Sequence, residues 1–267
     1  MKITLLFFFV LCSCTNYPGN FKYVIKNNVH YNQDKSERHN GEVIMPDGLG
    51  PFPAVIVVHG GGWSSRSYED TTSIAESLAG NGFVAYNINY RYSPEHHHPA
   101  QIDDLEAAIK FLKTNAKNYK VDTKRIGLWG YSSGGHTVSY YALTRAQNPD
   151  LKVGAVVAGG VPFDFTWYTR SPYIKGYMGN FRDKMFEQYV DASPSYRITK
   201  DSPPFFIYHA EKDTLVEHSQ ATSFEARLKM YQVPVERCDV SWWGHMTVFM
   251  FSSKPLQQGV EFLKRKL

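Results

Sequence analysis

A short motif near the middle of the chain restricts its fold more than any other feature. Residues 126–129 are mostly apolar and lead into Gly-x-Ser-x-Gly at residues 130–134, with Ser132 at its centre. A strand that enters a helix through a sharp turn has this pattern, because the glycines permit a strained backbone and close helix packing. Such a turn holds the Ser132 hydroxyl clear of the sheet, at the positive end of the helix. The motif therefore predicts a nucleophilic serine.

A glycine-rich loop lies upstream of this motif. The apolar residues 54–58 are largely β-branched and predict a buried parallel strand. The strand is followed by His59, by three glycines at residues 60–62 and by Trp63. Successive glycines leave the backbone N–H groups free to face an anion, which suits an oxyanion hole. A flexible turn is the alternative, but the position of the loop after a core strand favours the functional interpretation.

A serine hydroxyl becomes a nucleophile only when an oriented base removes its proton. Residues 203–210 predict a buried strand that leads to Asp213, and residues 235–240 predict a strand that leads to a loop containing His245. The chain order is therefore Ser132, Asp213, His245, with each residue just after a strand. This is the order of the α/β-hydrolase template.

Alternatives exist for each partner of the serine. Asp213 taken alone could cap the helix that follows it, and Asp164 and Asp239 are rival acids. His245 taken alone could be a packed loop histidine. The ordered set of three residues is a stronger indication than any member by itself.

The alternation of strands and helices after residue 53 predicts an α/β fold with a mostly parallel central sheet and helices on both faces. Apolar residues recur at helical spacing in two segments, at Ile102, Leu105, Ile109 and Leu112 and at Ala221, Phe224 and Leu228. Residues 23–31 and 41–45 predict antiparallel edge strands. We expect an N-terminal segment with an edge strand at residues 14–40 and one catalytic domain at residues 41–267, a length sufficient for a single core.

Three segments carry a family resemblance: His-Gly-Gly-Gly at residues 59–62, Asn-Tyr-Arg-Tyr-Ser-Pro-Glu-His at residues 89–96, and Gly-Tyr-Ser-Ser-Gly-Gly at residues 130–135. Together they resemble the hormone-sensitive-lipase-like group of α/β-hydrolase esterases. The chain is also similar to compact ferulic and acetyl-xylan esterase domains of gut bacteria, which have Trp at the end of the same glycine loop. The resemblance extends from about residue 42 to the C-terminus and implies a serine carboxylic-ester hydrolase.

The same resemblance implies that the backbone N–H groups of Gly61, Gly62 and Ser133 form the oxyanion hole. The chain departs from many relatives on either side of the serine. Those relatives have Asp before it and Ala after it, whereas this chain has Tyr131 and Ser133. Neither change removes a catalytic group, because Ser133 keeps its backbone N–H.

The substrate region is less specific in sequence. Residues 163–198 interrupt the strand–helix rhythm, are rich in aromatic residues, and predict a small cap or substrate wall above the carboxyl edge of the sheet. We expect Trp63, Trp242 and Trp243 to line the substrate site, with core packing as the alternative for each. No long apolar lid helix is evident, which favours small or short-acyl esters, including acetyl or feruloyl esters of carbohydrates.

Two other functions fit the same motifs. An amidase of the arylformamidase type would use the same serine, histidine and aspartate. A non-catalytic, surface-anchored binding protein on a hydrolase fold is the second alternative. The ester hydrolase, which forms a covalent acyl-enzyme, is the favoured prediction.

The N-terminus predicts export. A positive start and the apolar residues 5–11 are typical of a secretory signal. Residues 1–13 are expected to be removed as a lipoprotein-type signal peptide, with Cys14 as the lipidated first residue of the mature protein. The expected location is the bacterial cell envelope, with the periplasm or secretion as alternatives, and the lipid as the only membrane contact. Cys238 then has no partner, so no disulfide is expected.

Charge and motif content restrict the other ligands. The formal net charge of +4 is modest and spread along the chain, without a basic stripe interleaved with aromatics, so nucleic acid binding is not expected. The histidines at residues 96–98 lie between Pro94 and Pro99, and no metal site is expected there. No dinucleotide-binding or Walker-type glycine pattern occurs, so no cofactor is expected. The sequence leaves the oligomeric state open.

Overall fold

A computed structural model of the chain describes residues 17–145, 148–251 and 253–267. The expected signal peptide at residues 1–13 and the expected lipidation site Cys14 lie outside these residues, so both stay predictions. Among the described residues, no helix combines the length and the apolar character needed to cross a membrane.

The described residues form one eight-stranded sheet with helices between the strands. The strands are β1 Tyr23–His30, β2 Asn40–Pro46, β3 Phe52–Val58, β4 Val84–Ile88, β5 Val121–Tyr131, β6 Ala155–Gly159, β7 Phe205–Ala210 and β8 Val235–Val240. The helices are α1 Thr72–Gly80, α2 Ala100–Thr114, α3 Ala116–Tyr119, α4 Ser133–Thr144, α5 Pro172–Met178, α6 Phe186–Asp191, α7 Ser219–Met230, α8 His245–Phe251 and α9 Ser253–Lys266.

The strand order is β1-β2-β4-β3-β5-β6-β7-β8. β2 pairs antiparallel with β1 and β4, and the strands from β4 through β8 pair in parallel. The predicted α/β-hydrolase architecture is confirmed. One detail was wrong: β2 is not an edge strand, because it is hydrogen-bonded on both sides and buried along its whole length.

The two faces of the sheet carry separate apolar layers. Along β3, Ile56 packs into one layer and its neighbour Val55 into the other, as the alternation of side chains in a strand requires. α2, α4 and α7 cover the first face, whereas α1, α8 and α9 cover the second. Burial on both faces explains why the central strands read as continuous apolar runs rather than alternating ones.

Two histidines, His59 and His136, are fully enclosed by this packing, and His98 is half-buried beside it. Burial lowers the pKa of His59 and His98 to about 4 and that of His136 to about 3, from the ordinary value of 6.5. The folded protein therefore holds these rings neutral at a pH where the unfolded chain would protonate them.

We expect the protein to lose stability as the pH falls from about 6.5 toward about 4, because unfolding then takes up protons. For each fully buried histidine, the free energy of unfolding should be about 2 kcal/mol lower at pH 5 than at pH 7. Urea unfolding at the two pH values measures the loss. His136→Gln is the control: it keeps an N–H for the Ala192 carbonyl oxygen, 2.8 Å from the ring nitrogen, without a titrating ring. The free energy of unfolding of His136→Gln should fall less between pH 7 and pH 5 than that of the wild type. An equal fall in the two proteins would show that His136 is not held neutral by burial.

Candidate active site

Ser132 lies in the turn between β5 and α4. Its backbone has φ 54° and ψ −121°, a conformation that residues other than glycine rarely adopt. The turn is fixed by hydrogen bonds from the Ser132 N–H to the Gly159 carbonyl oxygen (2.8 Å) and from the His136 N–H to the Ser132 carbonyl oxygen (2.9 Å). A strained residue held this firmly is typical of a functional position, and here it sets the serine hydroxyl at the carboxyl end of β5.

The glycines on either side of Ser132 are required by close contacts. A Cβ atom at Gly130 would lie 2.4 Å from the Gly134 carbonyl oxygen, and a Cβ atom at Gly134 would lie 2.2 Å from that of Val58. Any side chain at either position would therefore push the start of α4 away from β5 and β3. These contacts explain the Gly-x-Ser-x-Gly spacing in physical terms.

The structure brings Ser132, His245 and Asp213 together from three separate strand ends. The Nε2 atom of His245 lies 3.0 Å from Ser132 Oγ, and its Nδ1 atom lies 2.6 Å from Asp213 Oδ2. A carboxylate can only accept, so Nδ1 carries the proton and Nε2 is left to accept from the serine hydroxyl. This is the arrangement needed to make a serine nucleophilic.

Asp213 is stabilised as an anion. Its Oδ1 atom accepts hydrogen bonds from the N–H groups of Leu215 (2.9 Å) and Val216 (2.8 Å). Burial tends to raise the pKa of Asp213, but hydrogen bonds from His209, His245 and the Val216 N–H outweigh it and hold that pKa well below its usual range. The carboxylate thus combines the two roles that the sequence suggested, since one oxygen caps the following turn and the other binds the imidazole.

The rival acids are engaged elsewhere. Asp164 accepts hydrogen bonds from the N–H (2.9 Å) and hydroxyl (2.6 Å) of Thr166 and so caps a short 3₁₀ turn. Asp239 binds His218 Nε2 and Arg237 Nε, each at 2.8 Å. Neither carboxylate contacts the imidazole beside Ser132, so the geometry favours Asp213 as its partner.

The glycine loop lies against the serine turn. A Cβ atom at Gly60 would be 3.3 Å from Ser132 Cβ, and Gly61 and Gly62 follow with φ values of 109° and 61°. Within the described part of the chain, no hydrogen bond uses the N–H groups of Gly61, Gly62 or Ser133. Ser133 is also the first residue of α4, where the helix presents its positive end. Three N–H donors without a partner therefore border the cleft that contains Ser132 Oγ.

These groups line a cleft of about 270 Å³. Residues from the segment 163–198 form part of its wall, as the sequence indicated, and among them are Tyr168, Ser171, Tyr173 and Ile174. The Tyr173 ring covers the glycine loop so closely that a Cβ atom at Gly62 would lie 2.6 Å from it. Arg66 and Asp70 add a charged pair to the same lining, 3.5 Å apart. The cleft is therefore aromatic on one side and polar on another.

The three tryptophans expected to line the site differ in position. Trp63 borders the cleft, but its ring is buried and stacked on Tyr177 at 4.3 Å. Trp242 is 80% exposed, with Lys212 Nζ 4.5 Å from the ring centre, and Trp243 packs against the apolar layer on the second face. The cleft lining includes neither Trp242 nor Trp243, in contrast to the expectation, because the first is exposed to solvent and the second packs against the apolar layer on the second face.

Several cleft residues were not singled out from the sequence. Leu215 and Met246 follow Asp213 and His245 by two residues and one residue, so their proximity to the site could have been inferred from chain continuity. Arg66 reaches the cleft from a loop and Tyr173 reaches it from α5, and both placements depend on tertiary packing. No local sequence signal marks them.

The histidines at residues 96–98 have a structural setting. His97 Nδ1 lies 2.9 Å from the Gly176 carbonyl oxygen, and His98 Nδ1 lies 2.8 Å from the Tyr177 hydroxyl, so both rings contact α5. Among the described residues, no group of three or more His, Cys, Asp or Glu side chains is placed to hold a metal ion. Cys238 is buried in β8, where the sequence placed it.

Comparisons with known proteins identify a family and related sequences. The sequence model of the BD-FAE family matches residues 43–228. The chain is 32% identical over 199 residues to esterase LipC of Mycobacterium tuberculosis, a match that covers 67% of this chain and 49% of LipC. It is 29% identical over 188 residues to the kynurenine formamidase of Meyerozyma guilliermondii, covering 69% of this chain and 61% of that protein.

A solved structure extends the similarity over almost the whole chain. The fold matches a bifunctional GH43-CE protein of Bacteroides eggerthii with a TM-score of 0.81 and 27% sequence identity, covering 91% of this chain and 38% of the other. The chain spans about half the length of the esterases it matches in sequence.

Proposed function

Because the chain belongs to the BD-FAE family, whose sequence model matches more than half of it, we propose that it hydrolyses carboxylic esters through Ser132, His245 and Asp213. The observation that carries this proposal is the hydrogen-bonded chain from the serine hydroxyl through the imidazole to the carboxylate, with distances of 3.0 Å and 2.6 Å. The esterase relative LipC supports the same reaction class.

The reaction follows from the protonation states of these groups. His245 takes the proton of Ser132 as its oxygen attacks the ester carbonyl carbon, and Asp213 stabilises the imidazolium that forms. The tetrahedral oxyanion is bound by the N–H groups of Gly61, Gly62 and Ser133, and each donor contributes about 3 kcal/mol to transition-state stabilisation. His245 then protonates the leaving alcohol. A water molecule, activated by the same imidazole, hydrolyses the acyl-enzyme.

The size of the cleft supports small substrates. Its volume of about 270 Å³ is slightly below the range of small-molecule pockets, which begins at about 300 Å³. A short acyl group with part of its alcohol would fill this space. Tyr168 and Tyr173 offer aromatic surface for a sugar or feruloyl ring, so acetyl and feruloyl esters of carbohydrates belong to the proposed class.

Amide hydrolysis is the second candidate. The similarity to a kynurenine formamidase favours it, and the same serine, base and oxyanion donors would act on a formyl amide. The two activities differ in the leaving group, which is an alcohol in one case and an amine in the other. Direct comparison of substrates therefore separates them.

Initial rates on a panel of substrates test the proposal. The panel consists of p-nitrophenyl acetate, butyrate and octanoate, methyl ferulate and N-formylkynurenine. We expect kcat/KM to be highest for the acetate or butyrate and to fall for the octanoate, because a cleft of about 270 Å³ must hold both the acyl group and part of the alcohol. A preference for N-formylkynurenine would replace the ester proposal with the amidase. Tight binding without turnover of any of them would favour the non-catalytic binding protein.

A further inference from the structure

We propose that Tyr131 is a positioning residue for the base of this site, because its hydroxyl donates a hydrogen bond of 2.5 Å to the backbone carbonyl oxygen of His245. Tyr131 is the last residue of β5 and immediately precedes Ser132. One side chain thus joins the strand that holds the nucleophile to the first residue of α8. The inference rests on the proposed function, since it concerns the distance between the same serine and imidazole.

The Tyr131 ring is confined on several sides. It stacks on Tyr208 with ring centres 5.8 Å apart and on Phe249 with centres 5.0 Å apart, and it lies 5.1 Å from the His245 ring. A Cβ atom at Gly160, where φ is 57°, would be 2.8 Å from the Tyr131 hydroxyl. The absence of a side chain at Gly160 therefore leaves the space in which the hydroxyl reaches the carbonyl.

In the folded protein at moderate pH, the Tyr131 hydroxyl keeps its proton and therefore stays a hydrogen-bond donor. Burial, and then the proximity of Tyr208 and Asp213, raises the pKa of Tyr131 well above its ordinary value. The phenol therefore stays protonated. Its neighbour Tyr208 is also buried and protonated, but its hydroxyl has no hydrogen bond to His245, which makes it a natural control.

An α-helix that begins at His245 also directs the Phe249 N–H at the His245 carbonyl oxygen, but the Tyr131 hydroxyl is the contact that ties this oxygen to β5. The Gly244 N–H donates to the Thr247 hydroxyl at 2.9 Å, and the Lys212 N–H donates to the Trp243 carbonyl oxygen at 3.1 Å. Both hydrogen bonds hold the loop between β8 and α8, next to His245, rather than His245 itself. The link from Tyr131 joins the residue beside the nucleophile to the base residue itself, so its loss should disturb the 3.0 Å distance between Ser132 Oγ and His245 Nε2.

The test compares Tyr131→Phe with Tyr208→Phe on p-nitrophenyl acetate. We expect Tyr131→Phe to lower kcat by roughly 10- to 100-fold with KM unchanged, as a small misplacement of a reacting group does. Tyr208→Phe should retain the wild-type kcat although it removes a buried hydroxyl from the same stack. A kcat for Tyr131→Phe within twofold of wild type, or equal losses in both variants, would overturn the inference.

A second measurement does not depend on turnover. The proton on His245 Nδ1 lies in the hydrogen bond to Asp213 Oδ2, in which the two heavy atoms are 2.6 Å apart. It should give a low-field proton resonance in the wild type and in Tyr208→Phe. The inference requires this resonance to be weakened or lost in Tyr131→Phe, whereas an unchanged resonance would overturn it. A wild-type protein that shows the resonance but cleaves neither esters nor amides would instead count against the proposed function.

Discussion

Replacement of Ser132 by alanine should lower kcat for p-nitrophenyl acetate by about 10⁶-fold, the effect of deleting a serine nucleophile from a hydrolase of this kind. Without the hydroxyl no acyl-enzyme forms, and the imidazole 3.0 Å away has no proton to remove. The fold should be unaffected, because the Ser132 N–H and carbonyl groups, which hold the turn, are part of the backbone. Steady-state rates and a thermal unfolding curve measure the two effects.

The adjacent serine supplies a matched control. Ser133 Oγ is buried, whereas the proposed function of Ser133 depends only on its backbone N–H. Ser133→Ala should therefore keep kcat near the wild-type value. A large loss in Ser133→Ala together with a small loss in Ser132→Ala would show that the nucleophile has been assigned to the wrong serine.

Substitution of Asp213 by asparagine should lower kcat by about 10⁴-fold with little change in fold. The amide oxygen can still accept from the N–H groups of Leu215 and Val216, so the turn is preserved. The amide nitrogen, however, donates to His245 Nδ1 and forces the proton onto Nε2. That tautomer cannot accept the proton of Ser132, so the loss should fall on kcat.

A second carboxylate–histidine pair provides the comparison for this variant. Asp239 binds His218 at 2.8 Å, close to the distance in the proposed site, but the pair lies outside the cleft lining. Asp239→Asn should therefore leave kcat unchanged. If Asp213→Asn retained near-wild-type rates while Asp239→Asn or Asp164→Asn lost them, the acid would have to be reassigned.

Much of this architecture could be predicted because parallel strands end at a common edge. Residues 235–240 were expected to form a strand, and β8 has those bounds. Once the apolar runs are read as parallel strands, the residues after β5, β7 and β8 must converge, whatever the sequence between them. Ser132, Asp213 and His245 are placed by that topology, so a local pattern was sufficient to name them.

Other features depend on contacts that no local pattern encodes. β2 lies between β1 and β4 because of pairing with distant strands, and its sequence does not differ from that of an edge strand. Trp242 and Trp243 are near His245 in sequence, but in the folded chain the first is exposed, the second packs against the apolar layer on the second face, and neither lines the cleft. The bond from Tyr131 to His245 spans 114 residues, and only the folded chain brings the two together.

Labelling of the intact protein with a fluorophosphonate, followed by location of the adduct by mass spectrometry, tests directly whether Ser132 is the nucleophile. The structure predicts one phosphonate per chain, on the Ser132 oxygen, because among the residues that the structure describes this hydroxyl alone has both an imidazole acceptor at 3.0 Å and three unpaired N–H donors bordering the same cleft. Ser132→Ala should take up none. An adduct on another serine, or full inhibition of ester turnover with Ser132 unmodified, would show that Ser132 is not the nucleophile.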